Sequence, residues 1–144
     1  GFVADDSAYK FMRIGFNARG IGNSNLIMLH MALLHENDVV VVISHSGESF
    51  EIIKAVELAK RNGTKLIVIT SNRDTILKEY ADACIFYETR ESILETGSIT
   101  TKLTQIFIID LLYTQVVKDT MDLASAFKQR TTEAINILRL DNKK

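Results

Sequence analysis

The sequence predicts an α/β fold: a three-layer αβα sandwich around a mainly parallel sheet, with the first strand missing from the chain. Three observations lead there. The run Asp38-Val-Val-Val-Val-Ile-Ser44 reads as a strand buried on both faces. Lys65-Leu-Ile-Val-Ile-Thr70 is a second run of the same kind. The residues between them carry a helical pattern. Parallel strands need such a crossover, so strand, helix and strand form a right-handed βαβ unit.

The other elements follow in order. Val3 to Ile14 reads as a helix with Ala4, Ala8, Phe11 and Met12 along one side. A short extended stretch, Gly15 to Ala18, comes next. Ser24 or Asn25 then caps a helix that runs through Leu26, Leu29 and Leu33 to about His35. The crossover helix spans Phe50 to Arg61. Ile52, Ile53, Val56 and Ala59 mark its inner face, and Asn62-Gly63 is its stop. Ser71 to Asp74 is a turn, Thr75 to Tyr80 a short helix and Ala83 to Tyr87 a third core strand. A polar loop, Glu88 to Gly97, leads into a helix from Ser98 to about Lys118. Asp122 to Leu140 is a last amphipathic helix, with Leu123, Phe127, Ala134 and Leu138 on the side expected to form core or dimer packing. No repeat, low-complexity tract or linker interrupts the chain, which reads as one domain over residues 1–144.

The chain opens without a strand ahead of its first helix, although later helices on the sheet follow one, and it contains no proline. Gly1 therefore reads as a cut inside a larger protein or as the start of the ordered region. In a doubly wound sheet ligands bind at the carboxyl ends of strands, so a missing first strand takes part of the site with it.

Composition narrows the function. A length of 144 residues with 47% hydrophobic and 24% charged residues fits one soluble globular domain. A net charge of -1 gives no field that attracts nucleic acid or an anionic membrane, and neither a basic stripe nor a helix-turn-helix is present. No apolar run is long enough to span a bilayer, and no signal peptide is visible. The lone Cys84 suits a reducing cytoplasm and reads as core packing rather than a nucleophile. His30 and His35 do not share a helix face, so no metal site is expected. Asp110 interrupts an apolar helix face and is expected to cap or bond a neighbouring backbone.

The segment that carries chemistry is Ser44-His-Ser-Gly-Glu-Ser49, between the valine strand and the crossover helix. The first amides of a helix lack intrahelical partners and its dipole favours negative charge. Hydroxyls from Ser44, Ser46 and Ser49 add donors without a fixed charge, which suits a phosphate monoester. A second reading makes Ser46 an ordinary N-cap, with Glu48 and Glu51 in the first turn to suit the dipole. Those acids would repel a dianion unless they point away. The turn has neither the lysine of a Walker loop nor the three spaced glycines of a dinucleotide fingerprint, so no nucleotide cofactor is expected.

The run Val40-Val-Val-Ile-Ser-His-Ser-Gly-Glu-Ser49 resembles the serine loop of sugar isomerase (SIS) domains. Ala55 to Thr70, Ala81-Asp-Ala83, and Glu91 with Thr100 to Leu112 resemble the later parts of that family. Val3 to Gly15 resembles the first SIS helix of RpiR-type transcriptional regulators. The resemblance implies a flavodoxin-like or Rossmann-like fold and a phosphosugar ligand. It implies that Ser44, Ser46 and Ser49 hold the phosphate, with His45 and Gly47 contributing backbone amides or, for His45, its side chain. Glu91 matches a glutamate that approaches the sugar, in its own or a neighbouring subunit. Lys102 stands where the family has arginine, which keeps charge but loses the planar fork.

Three functions follow. The first is the effector domain of a sugar-responsive regulator, a homodimer or higher oligomer that meets DNA only through an absent N-terminal helix-turn-helix domain. The second is an aldose-ketose isomerase with Glu91 as base; no His or Lys partner stands near the motif to serve as acid. The third is a dimerisation module that keeps the loop without a ligand.

Overall fold

The computed structural model describes residues 1–90 and 99–141. Its elements are α1 (Phe2–Met12), α2 (Ser24–Leu33), β1 (Val39–Ile43), α3 (Phe50–Arg61), β2 (Lys65–Thr70), α4 (Leu77–Tyr80), β3 (Ala83–Phe86), α5 (Ile99–Asp119) and α6 (Met121–Asp141). The chain forms two compact units, Ile21–Gln105 and Gly1–Gly20 with Ile106–Lys144.

In the unit Ile21–Gln105 the strands lie in the order β1-β2-β3, all parallel, with Val39 opposite Lys65 and Val68 opposite Cys84. Alternation along the strands sends Val42, Leu66 and Val68 to one face. There they meet Met31 of α2, Ala55, Val56 and Ala59 of α3, and Leu77 of α4. Full burial of a side chain such as Leu66 contributes about 1.5–3 kcal/mol. The small residues on α3 let the helix lie close to the sheet. Cys84 is half-buried against this core, and desolvation raises its thiol pKa, which leaves it a poor nucleophile.

Several sequence expectations change here. Among the described residues β1 is an edge strand, and Val39 and Val41 are 59% and 41% exposed, so burial on both faces does not hold. In α2 the leucine stripe Leu26, Leu29 and Leu33 faces out; Ile27, Met28 and Met31 pack inward instead. A helix this apolar on all sides gives no unique inner face from its period. Its cap is Asn23, whose side chain accepts from the Leu26 amide at 3.1 Å, rather than Ser24 or Asn25. The Asn62-Gly63 stop is as expected: Gly63 has φ +78°, and its amide donates to the Lys60 carbonyl at 3.0 Å.

In the other unit, Phe11 of α1 meets Phe16 and Tyr113 edge-on, with ring centroids 5.7 and 5.6 Å away. The stretch Gly15 to Ala18 forms no strand. Gly15 closes a turn at φ +100°, and a Cβ there would lie 2.5 Å from the Phe127 ring. Thr131 donates to the Arg13 carbonyl at 2.9 Å, and the Arg13 guanidinium donates to the Thr132 hydroxyl at 2.7 Å. Asp110 pairs with the Lys10 ammonium rather than a backbone group, and that bond raises the lysine pKa. On α6 the expected apolar stripe is mostly outside: Leu123 and Leu138 are exposed, and Ala124 is the buried residue.

Candidate functional site

Ser44 to Ser49 form one loop at the carboxyl end of β1, beside the carboxyl end of β2. Parallel pairing sets its root, since the Ser44 amide donates to the Ile69 carbonyl at 3.1 Å. Ser44 and His45 are half-buried, Ser46 is exposed, Gly47 is buried and Ser49 is half-buried. Glu91 lies outside the described residues.

Three successive loop carbonyls are tied to the segment that follows β2. The His45 carbonyl accepts from the Thr70 hydroxyl (3.1 Å), the Ser71 hydroxyl (2.8 Å) and the Ser71 amide (3.1 Å). The Ser46 carbonyl accepts from the Asn72 side-chain amide at 2.9 Å. The Gly47 carbonyl accepts from the Thr75 hydroxyl at 2.6 Å. Oxygens that would repel an anion are thereby engaged.

The hydroxyls hold the turn from within. Ser44 Oγ accepts from the Gly47 amide at 3.1 Å, and Ser46 Oγ accepts from the Glu48 amide at 3.3 Å. Ser46 is therefore a turn residue and not the cap of α3. The N-cap is Ser49, whose hydroxyl makes no bond to the helix backbone. The first i→i−4 bond runs from the Ile53 amide to the Ser49 carbonyl, so the Phe50, Glu51 and Ile52 amides precede the helical ladder.

The two loop acids differ. Glu48 is drawn toward the β2 side by the Asn72 amide at 3.4 Å. Glu51 stays at the helix end, where its carboxylate accepts from the Ser49 hydroxyl at 2.9 Å. Its own backbone amide, and then Ser49, hold its pKa below the ordinary value. A carboxylate of the protein thus occupies the N-terminus of α3.

One side of the loop carries a polar chain of buried groups. His45 Nδ1 lies 3.1 Å from the Tyr87 hydroxyl, which accepts from the Gln105 side-chain amide at 2.8 Å. Sequence reasoning missed Thr70, Ser71, Asn72, Thr75, Tyr87 and Gln105. A signal existed for the first three, because they end the neighbouring parallel strand and such ends line the ligand crevice. No motif marked Tyr87 or Gln105. Among the described residues no cluster of His, Cys, Asp and Glu is able to hold a metal, and no helix is long and apolar enough to cross a membrane.

The model of the SIS domain family matches residues 1–115. An uncharacterised HTH-type transcriptional regulator of Clostridium perfringens is 44% identical over 135 residues, covering 94% of this chain and 48% of the relative. The HTH-type transcriptional regulator RpiR of Escherichia coli K12 is 31% identical over 129 residues, 90% of this chain and 44% of the relative. The chain thus spans about half the length of the curated relatives it matches. Among solved structures, the Vibrio vulnificus NanR protein complexed with ManNAc-6P has a TM-score of 0.87 at 21% identity, covering 95% of this chain and 52% of that one. That likeness establishes the fold as the α/β sandwich predicted from the sequence.

Proposed function

Since this chain belongs to the SIS domain family, we propose that it is the phosphosugar-binding effector domain of a transcriptional regulator of the RpiR type, one that binds its ligand without converting it. The single observation that carries the reading is the Ser44–Ser49 loop. Its carbonyls are tied to Thr70, Ser71, Asn72 and Thr75 while its hydroxyls lie with the free amides of α3. Such a cradle offers donors to a phosphate without a fixed positive charge. The regulator relatives and the NanR complex with ManNAc-6P support the ligand class.

In this reading Ser44, Ser46 and Ser49 bind the phosphate, with His45 and Gly47 beside them, and Glu91 reaches the sugar. The 144 residues act as one effector domain in the cytoplasm, and a separate DNA-binding segment reads the operator. The domain works as a homodimer, which the exposed Leu123 and Leu138 of α6 support. Hydrogen bonds to a charged phosphate contribute about 1.5–3 kcal/mol each before association costs. A few of them leave an affinity between ~1 mM and ~1 μM, the range of a metabolite sensor.

The test is calorimetric titration with ManNAc-6P and other hexose and pentose phosphates, with the unphosphorylated sugars as controls and each mixture checked for conversion. Phosphate-dependent binding without product supports the sensor. Product formation replaces it with the isomerase, and silence across the panel leaves a structural role. Light scattering that finds only monomer at high concentration sinks the dimer.

A further inference from the structure

We infer that Tyr87 and Gln105 are positioning residues that hold His45 in its Nε2–H tautomer, so that the anion loop carries a neutral N–H donor on its second residue. The use of that donor rests on the phosphosugar reading; the tautomer itself does not.

Tyr87 and Gln105 are 6% and 7% exposed. A buried phenol oxygen and a buried carboxamide are costly unless they are hydrogen-bonded. Phenylalanine and methionine would fill the same volumes without that cost. Here the polar groups are joined in series, and the series ends on the loop. Gln105 Nε2 donates to Tyr87 Oη at 2.8 Å, and Tyr87 Oη lies 3.1 Å from His45 Nδ1, with the two rings 5.9 Å apart and tilted by 42°.

The backbone fixes this geometry. Thr70 is the common anchor, since its hydroxyl donates to the His45 carbonyl at 3.1 Å and its carbonyl accepts the Tyr87 amide at 3.2 Å. His45 and Tyr87 are therefore held against one residue of β2, and their rings meet without long, flexible stems.

The direction of the bond follows from the carboxamide. Gln105 gives an N–H to the phenol oxygen, which polarises the O–H and makes Tyr87 a stronger donor. An imidazole nitrogen that accepts a hydrogen bond carries no proton, so Nδ1 is bare and the ring proton resides on Nε2. A ring free to exchange tautomers would spend part of its time with an acceptor at Nε2, which repels a phosphate oxygen. The chain from Gln105 removes that state and couples the start of α5 to the loop.

The experiment reads the imidazole nitrogens of the ligand-free protein by long-range ¹H–¹⁵N NMR at a pH where the rings are neutral. His45 is separated from His30 and His35 by a His45→Gln variant. The wild-type protein is expected to show Nδ1 unprotonated and Nε2 protonated. Tyr87→Phe is expected to move His45 to a tautomer mixture, and Gln105→Met to shift it the same way by less. The same variants should bind hexose 6-phosphates about 3- to 10-fold more weakly, the size of one hydrogen bond. A protonated Nδ1 in the wild type overturns the inference. So does an unchanged tautomer in Tyr87→Phe or, should that variant fail to fold, in Gln105→Met. Failure of the wild-type protein to bind any phosphosugar overturns the phosphosugar reading and the use of the donor, while the ligand-free spectrum still decides the tautomer.

Discussion

The Thr75 hydroxyl donates to the Gly47 carbonyl at 2.6 Å and lies 2.7 Å from the place a Cβ on residue 47 would take. One buried hydroxyl therefore holds the turn and forbids a side chain there. Gly47 also has φ +63°, a conformation that costs an L-residue about 1–2 kcal/mol. The same hydroxyl accepts from the Leu77 amide at 3.2 Å, which ties the entry of α4 to the loop. Thr75→Val leaves both loop carbonyl and helix amide without a partner, at about 1–3 kcal/mol for each buried group. Chemical denaturation should show that loss for Thr75→Val and near-complete recovery for Thr75→Ser. Gly47→Ala should be destabilised by strain and contact together.

Ser46 separates binding from folding. It is exposed, and its only hydroxyl contact among the described residues is with the Glu48 amide at 3.3 Å. Removing it should change stability by well under 1 kcal/mol, as for other surface positions. Loss of one bond to a charged phosphate should weaken phosphosugar affinity by about 10-fold or more. A folded Ser46→Ala protein that binds as well as wild type takes Ser46 out of the site.

How much of this was legible in the sequence follows from what each signal measures. The βαβ unit was legible because Val39 to Ile43 and Lys65 to Thr70 are β-branched runs at crossover spacing, and their pairing is local in sequence. The exposure of Val39 and Val41 was not, because strand composition does not tell an edge from a centre. The loop was legible through its spacing of Ser44, Ser46 and Ser49. Its fastening to Thr70, Ser71, Asn72 and Thr75 was hidden, because those contacts are 25 to 28 residues apart and follow from register. The link from Gln105 to Tyr87 was hidden for the same reason: it joins a strand end to a helix across the fold.

Glu51 competes with the proposed ligand. Its carboxylate holds the Ser49 hydroxyl at 2.9 Å and sits on its own amide at the start of α3. A phosphate placed there must displace or repel it. Glu51→Gln removes the charge and keeps the shape, so phosphosugar affinity should rise by about 2- to 5-fold, the scale of one charge at a helix end. Weaker binding in the variant would mean that the carboxylate contacts the sugar hydroxyls rather than excluding the phosphate.

Asp82 predicts how the unit Ile21–Gln105 responds to acid. Its carboxylate accepts from the Leu66 amide at 2.8 Å and from Lys60 Nζ at 2.9 Å, with Lys65 Nζ at 3.6 Å. The Asp82 amide in turn donates to the Leu66 carbonyl at 2.8 Å, so the two residues clasp the start of β2 to the entry of β3. The backbone amide first, then Lys60, lower the Asp82 pKa from 3.8 to about 2. A folded-state pKa below the unfolded one means stability that is fully present above the unfolded value and is lost as pH falls through the folded one. Between about pH 4 and pH 2 the wild-type protein should therefore lose melting temperature that an Asp82→Asn protein has already lost at neutral pH. Thermal melts of both proteins across that range test this, and the two curves should draw together toward the acid end. A gap that stays constant would assign the contribution of Asp82 to its geometry at the Leu66 amide rather than to its charge.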